Sequence, residues 1–151
     1  MILSIMPVSL CETGFVVSFA ILFVYSHMHA TIFLLFTLSI TMLAVLHTTA
    51  LIFSLYWVYL WLDIPMHILG GATVALGYQS RFMLGRFEET LTFGLCATIG
   101  AALTIGLLWE VYEFSVGPLL PGYVLDTAID LSMDVVGAII GYATARAVAK
   151  L

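Results

Sequence analysis

The sequence predicts an all-α, polytopic membrane helix bundle of about five transmembrane helices. Three observations carry that expectation. The 151 residues are 63% hydrophobic and only 9% charged, against about 45–50% and about 25% in soluble domains. The mean hydropathy is +1.17, which a water-exposed surface of ordinary polarity cannot produce. The apolar residues fall in runs long enough to cross about 30 Å of hydrocarbon, separated by short polar clusters.

Taken in order, the first run spans about residues 7–25 and is closed by Ser26-His27-Met28-His29, a polar tetrad that reads as a loop. The second follows at once over 30–52. Tyr56, Trp57, Tyr59 and Trp61 then form an aromatic group of the kind that sits at headgroup level. The third run, 64–82, opens at Asp63-Ile64-Pro65, where Asp63 fits a helix N-cap and Pro65 the first turn. The fourth, 89–115, starts after Glu88-Glu89, acids suited to a helix N-terminus, and stops before Gly117-Pro118. The fifth covers 125–147. The spans make one transmembrane domain, 1–151, with no room for a soluble one.

The N-terminal residues carry no Lys or Arg, so no secretory signal peptide is expected. Cys11 and Cys96 lie in separate apolar runs without CxxC spacing, which points to neither a zinc knuckle nor a disulfide framework. All four cations lie after runs three and five: Arg81 and Arg86, then Arg146 and Lys150. By the positive-inside rule that side is cytoplasmic, which puts the C-terminus in the cytoplasm and, with five crossings, the N-terminus outside. A net charge of −5 with so few cations excludes nucleic acid as a partner.

The acids gather on the other side. Asp63 and His67 open run three, Glu110 and Glu113 close run four, and Asp126, Asp130 and Asp134 open run five, while His47 ends run two. Residues four apart on a helix share a face. Asp126, Asp130 and Asp134 therefore form one stripe, continued inward by Gly137 and Gly141, where a second helix can approach closely. Asp63 and His67 share a face with Gly70 and Gly77 in the same way. Asp134 lies about 12 Å along the helix from Asp126, well below the interface, where a lone carboxylate is costly.

Six or seven carboxylates with one or two histidines, and no Lys or Arg beside them, require neutralisation. A divalent cation (Mg²⁺, Mn²⁺, Ca²⁺, Zn²⁺ or Fe) held by Asp63, His67, Glu110, Glu113, Asp126 and Asp130 is one solution. Protons shared among the acids are the other. Plainer roles also fit: N-caps for Asp63 and Asp126, solvated helix-end acids for Glu110 and Glu113, and structural polar groups for the histidines.

Three segments carry a resemblance: Asp63-Ile-Pro-Met-His67-Ile-Leu-Gly70-Gly71, Leu-Trp109-Glu110-Val-Tyr-Glu113-Phe114, and Asp126-Thr127-Ala-Ile-Asp130-Leu-Ser-Met-Asp134-Val-Val-Gly137-Ala138. Over about residues 60–145 the chain resembles the YjdF-type bacterial inner-membrane proteins and, more distantly, VanZ-like proteins. The resemblance implies a small helical protein of the inner membrane with a polar centre; the VanZ likeness hints at envelope or lipid-linked precursors. Gly122, Asp126 and Asp130 also match the latter half of the CDP-alcohol phosphotransferase motif, but its first half is absent and membership is rejected.

The functional expectation is a metal-dependent hydrolase or transferase acting on a lipid or lipid-linked phosphate at the non-cytoplasmic leaflet. Asp126, Asp130, Glu110 and Glu113 would hold metal, and the catalytic proton would pass through His67 or Asp134. The alternatives are a cation- or proton-binding transport protein and an accessory subunit. Partners expected are membrane lipids, with a homo-oligomer or larger membrane complex open.

Overall fold

The computed structural model describes residues 9–83, 91–116 and 122–149, with no strand among them. The elements are α1 (Ser9–Ile52), a four-residue α2 (Leu55–Val58), a 3-10 turn (Leu60–Leu62), α3 (Asp63–Met83), α4 (Leu91–Val116) and α5 (Tyr123–Val148). Ala30–Ile52, Leu60–Ser80 and Gly94–Val116 are each long and apolar enough to cross a membrane. The all-α membrane class is as the composition required. The side chains of 9–26, 28, 29, 81–83 and 91–93, and residues 84–90 with Arg86, Glu88 and Glu89, lie outside the description.

The loop expected at residues 26–29 does not form: α1 runs unbroken through it. Ser-His-Met-His contains neither proline nor glycine, and polarity alone does not interrupt an i to i−4 ladder. Thr31 Oγ1 donates to the His27 carbonyl at 2.9 Å, one turn of continuous helix. At 44 residues α1 is about 66 Å long, twice the thickness of a hydrocarbon core. It stops at Ser54, whose left-handed backbone (φ 54°) turns the chain into α2.

The two caps expected from sequence also differ. Asp63 has helical dihedrals (φ −64°, ψ −41°) and belongs to the first turn of α3, because the 3-10 turn ahead of it already starts the winding. Asp126 lies in the first turn of α5, and the N-cap is Gly122, whose φ of 98° suits glycine alone and whose carbonyl accepts from the Leu125 and Asp126 amides.

The centre of the bundle is the α3–α5 pair, with α4 packed on both and α1 laid mainly against α3. Small residues make this possible. A methyl group on Gly137 would stand 2.8 Å from the Ile68 carbonyl carbon and 2.9 Å from Ala72 N, so the α3 backbone occupies that space. Gly71 faces the Asp134 backbone reciprocally, and Gly141 faces Ala72 and Ala75. Ala75, Ala102 and Ala138 fill the core where α3, α4 and α5 meet. On α1 only Ile32 and Ala50 are buried among the described side chains. At the far end from the acids, Gln79 donates to Thr98 Oγ1 at 2.9 Å, and fully buried Thr98 donates to the Gly94 carbonyl.

Candidate metal centre

His67 stands where α3, α4 and α5 converge, and it is 6% exposed. Its two ring nitrogens face three carboxylates, one from each of the three helices. Asp63, one turn earlier on α3, puts Oδ1 3.8 Å from Nε2. Glu110, in the last turns of α4, puts Oε1 3.9 Å from the same nitrogen. From α5, Asp134 places Oδ1 3.3 Å from Nδ1. The helices can bring these groups together because the neighbouring positions are glycines: Gly70 lies beside Asp134 Oδ1, and the Asp134 carboxylate occupies the place a Gly106 side chain would take.

Asp130, one turn before Asp134, is buried on the same side. Asp63, His67 and Asp130 each offer a ligand atom, all within 4.8 Å of one another. Metal–oxygen and metal–nitrogen bonds of about 2.0–2.6 Å allow ligand atoms on opposite sides of one ion to stand about 4–5 Å apart. The set is one imidazole and two carboxylates, a donor chemistry shared by Mg²⁺, Mn²⁺, Ca²⁺ and Zn²⁺.

Two further atoms bear on occupancy. Glu110 Oε1 and Asp134 Oδ2 are buried without a hydrogen-bond partner, a costly state for acceptors that a cation or a proton removes. Glu110 is otherwise held firmly. Its Oε2 accepts from Thr127 Oγ1 at 2.7 Å, and its backbone carbonyl accepts from the Tyr123 hydroxyl at 2.7 Å.

Above the cluster an aromatic group closes the end of the bundle. Tyr56 OH and His47 Nδ1 are 2.8 Å apart, and the His47 ring meets Trp109 edge-on with centroids 5.1 Å apart. Burial, then the nearby charges of Asp63 and Glu113, push the Tyr56 hydroxyl up to about 12. It therefore keeps its proton, and the pair shares one hydrogen bond whose donor depends on the His47 tautomer. Beneath lies a cavity of about 370 Å³, with Asp63, His67 and Asp134 at its acid end and apolar side chains of α1, α3 and α4 along its length.

Of the sequence-derived candidates, Asp63, His67 and Asp130 come together, Glu110 adjoins them, and Asp134 meets His67 on its other nitrogen. Asp126 is exposed and is not part of the ligand-spaced trio. It heads the stripe in the first turn of α5, one turn above Asp130. Glu113 is half-buried on the side of Tyr56, because a step of three residues rotates it about 60° from Glu110. Sequence reasoning overlooked Gly106, Thr127 and Tyr123. Gly106 stands four residues before Glu110, on the same face, and Thr127 lies within the second aspartate motif.

The family described as predicted membrane protein (DUF2238) matches the chain over residues 4–150. No curated protein matches, and no solved structure does.

Proposed function

The chain belongs to this family of predicted membrane proteins, and from that premise we propose that it holds a divalent cation at Asp63, His67 Nε2 and Asp130 and uses it on a lipid phosphate. The observation that carries the reading is the ligand spacing of those three residues, with His67 Nδ1 turned to Asp134. A metal-bound histidine almost always gives its second nitrogen to a carboxylate, carbonyl or water, which fixes its orientation. Asp134 is thus a positioning residue in this reading.

Bound cation supplies positive charge for phosphate oxygens in a site where no described Lys or Arg stands. Glu110, its Oε1 free and 3.9 Å from His67 Nε2, takes the proton of an attacking water. The water oxygen bonds to phosphorus as the bond from phosphorus to the lipid oxygen breaks, the proton held by Glu110 passes to that leaving oxygen, and lipid alcohol and phosphate result. The YjdF-type resemblance and the clustering of cations at the other helix ends support placement in a bacterial inner membrane with a cytoplasmic C-terminus.

The test is metal content by elemental mass spectrometry on purified protein supplied with Mg²⁺, Mn²⁺, Ca²⁺ and Zn²⁺. Stoichiometric metal is expected in the native chain and in Asp126→Asn, with loss in Asp130→Asn and about 10–100-fold weaker binding in Asp134→Asn. Metal-free native protein would overturn the reading. The unpartnered oxygens of Glu110 and Asp134 would then be explained by protonated acids, as in a proton-binding transport protein.

A further inference from the structure

The cavity beneath His67 has a shape that the metal site alone does not require. Its two flanks, α1 and α4, each pack on α3 but make no extended contact with each other, and they meet through the His47–Trp109 ring pair at the acid end. Below that pair the space between them opens sideways, with Ile40 44% and Ile105 51% exposed at its rim. The walls are apolar: Leu43 from α1, Val74 from α3, Ala102 from α4.

The inner end offers no free polar group. Ser39 Oγ and Thr73 Oγ1 are 2.5 Å apart, and Thr73 donates to the Leu69 carbonyl at 2.7 Å, so the hydroxyls satisfy one another. The unpartnered oxygens sit at the opposite end. From His67 to Val74 the cavity follows α3 for about 10 Å. Apolar cavities of this kind stay dry and take up apolar ligands, and 370 Å³ lies within the range of ligand pockets, about 300–1,000 Å³.

We propose that the cavity receives one hydrocarbon chain of a bilayer lipid whose head group is a terminal phosphate monoester, sliding in sideways between α1 and α4, so that its phosphate stops beside Asp63 and His67. The placement of the head group rests on the cation reading above, since the bare acids would repel a phosphate; the berth of the chain does not. A lipid arriving this way never leaves hydrocarbon, and only its head group needs the polar end.

The experiment uses the full chain in phosphatidylcholine vesicles containing phosphatidic acid with a diazirine at the tip of one acyl chain, followed by irradiation and peptide mapping. Label is expected on Leu43, Val74 and Ala102. It falls at least tenfold in Ala44→Trp or Ile105→Trp, which block the rim, and is unchanged in Leu107→Trp, on the outward face of α4. Equal labelling of the outward face and the cavity would overturn the berth. Phosphatidylcholine carrying the same diazirine chain is expected to label the cavity several-fold less, and Asp130→Asn to remove that preference but not the chain-tip label. Equal labelling by the two lipids in native protein would overturn the head-group assignment. Normal metal content with an unlabelled cavity sinks this inference alone; a labelled cavity in a metal-free native protein sinks the cation reading and spares the berth.

Discussion

Gly137→Ala adds one methyl group at the point where α5 lies against the α3 backbone. The new carbon would stand 2.8 Å from the Ile68 carbonyl carbon and 2.9 Å from Ala72 N, where ordinary contact is about 3.5–4.0 Å. Backbone atoms cannot rotate away as a side chain can, so the helices must part by about 1 Å. Overpacking costs about 1–3 kcal/mol, and the better helix propensity of alanine returns about 0.5–1 kcal/mol. The net loss, up to about 2.5 kcal/mol, lowers Tm by up to about 10 °C at 2–4 °C per kcal/mol. The same shift stretches the His67 Nδ1 to Asp134 Oδ1 contact, now 3.3 Å, beyond hydrogen-bond range. Gly100→Ala is the matched control, because nothing lies within 4 Å of its added methyl group; Tm should hold or rise by about 1–3 °C. Thermal unfolding in detergent, followed by circular dichroism, measures both. A Gly137→Ala protein as stable as Gly100→Ala would refute the close α3–α5 approach.

Two other perturbations read separate parts of the bundle. Because the Tyr56 hydroxyl is pushed up to about 12, Tyr56→Phe should leave the phenolate absorbance unchanged up to about pH 11 and remove one group above it. The sign follows from a raised acid: its contribution to stability is whole below the ordinary tyrosine range, near pH 10, and is lost as pH climbs to about 12; an ordinary titration of Tyr56 in a difference spectrum would contradict this. At the opposite end, Thr98→Val strands the Gln79 amide, which donates to Thr98 at 2.9 Å, and should cost about 1–3 kcal/mol. Adding Gln79→Leu should recover part of the loss, and a strictly additive double-mutant cycle would show that the pair is uncoupled.

How much was legible in the sequence depends on which interactions are periodic. Asp130, Asp134, Gly137 and Gly141 sit at intervals of three and four, so the face they share follows from helix geometry whatever the tertiary structure. Asp63 and His67 follow the same rule. Depth is less easily read: Asp126 satisfies the angle but stands one turn too high and is exposed. Glu110 and Glu113 look equivalent in a WExxE segment, yet a step of three residues swings Glu113 towards Tyr56. The polar tetrad at residues 26–29 suggests a loop, but only backbone chemistry breaks a helix, and α1 runs through it. Gly106 and Thr127 escaped notice because their roles exist only between helices, one leaving room for Asp134 and the other donating to Glu110.

The unequal sharing of buried surface among the helices sets an order for making the protein. α1 leaves the ribosome before α3 and α5, and among its described side chains only Ile32 and Ala50 are buried against protein, so that part of it can rest in lipid alone. α5 follows α3 and carries Asp130 and Asp134; an aspartate at the centre of a solitary inserted helix costs about 2.5–3.5 kcal/mol. It becomes comfortable in the membrane only against His67 of α3 and the small residues around it. α5 is thus settled by a helix made before it, and the polar centre exists only once the two have met.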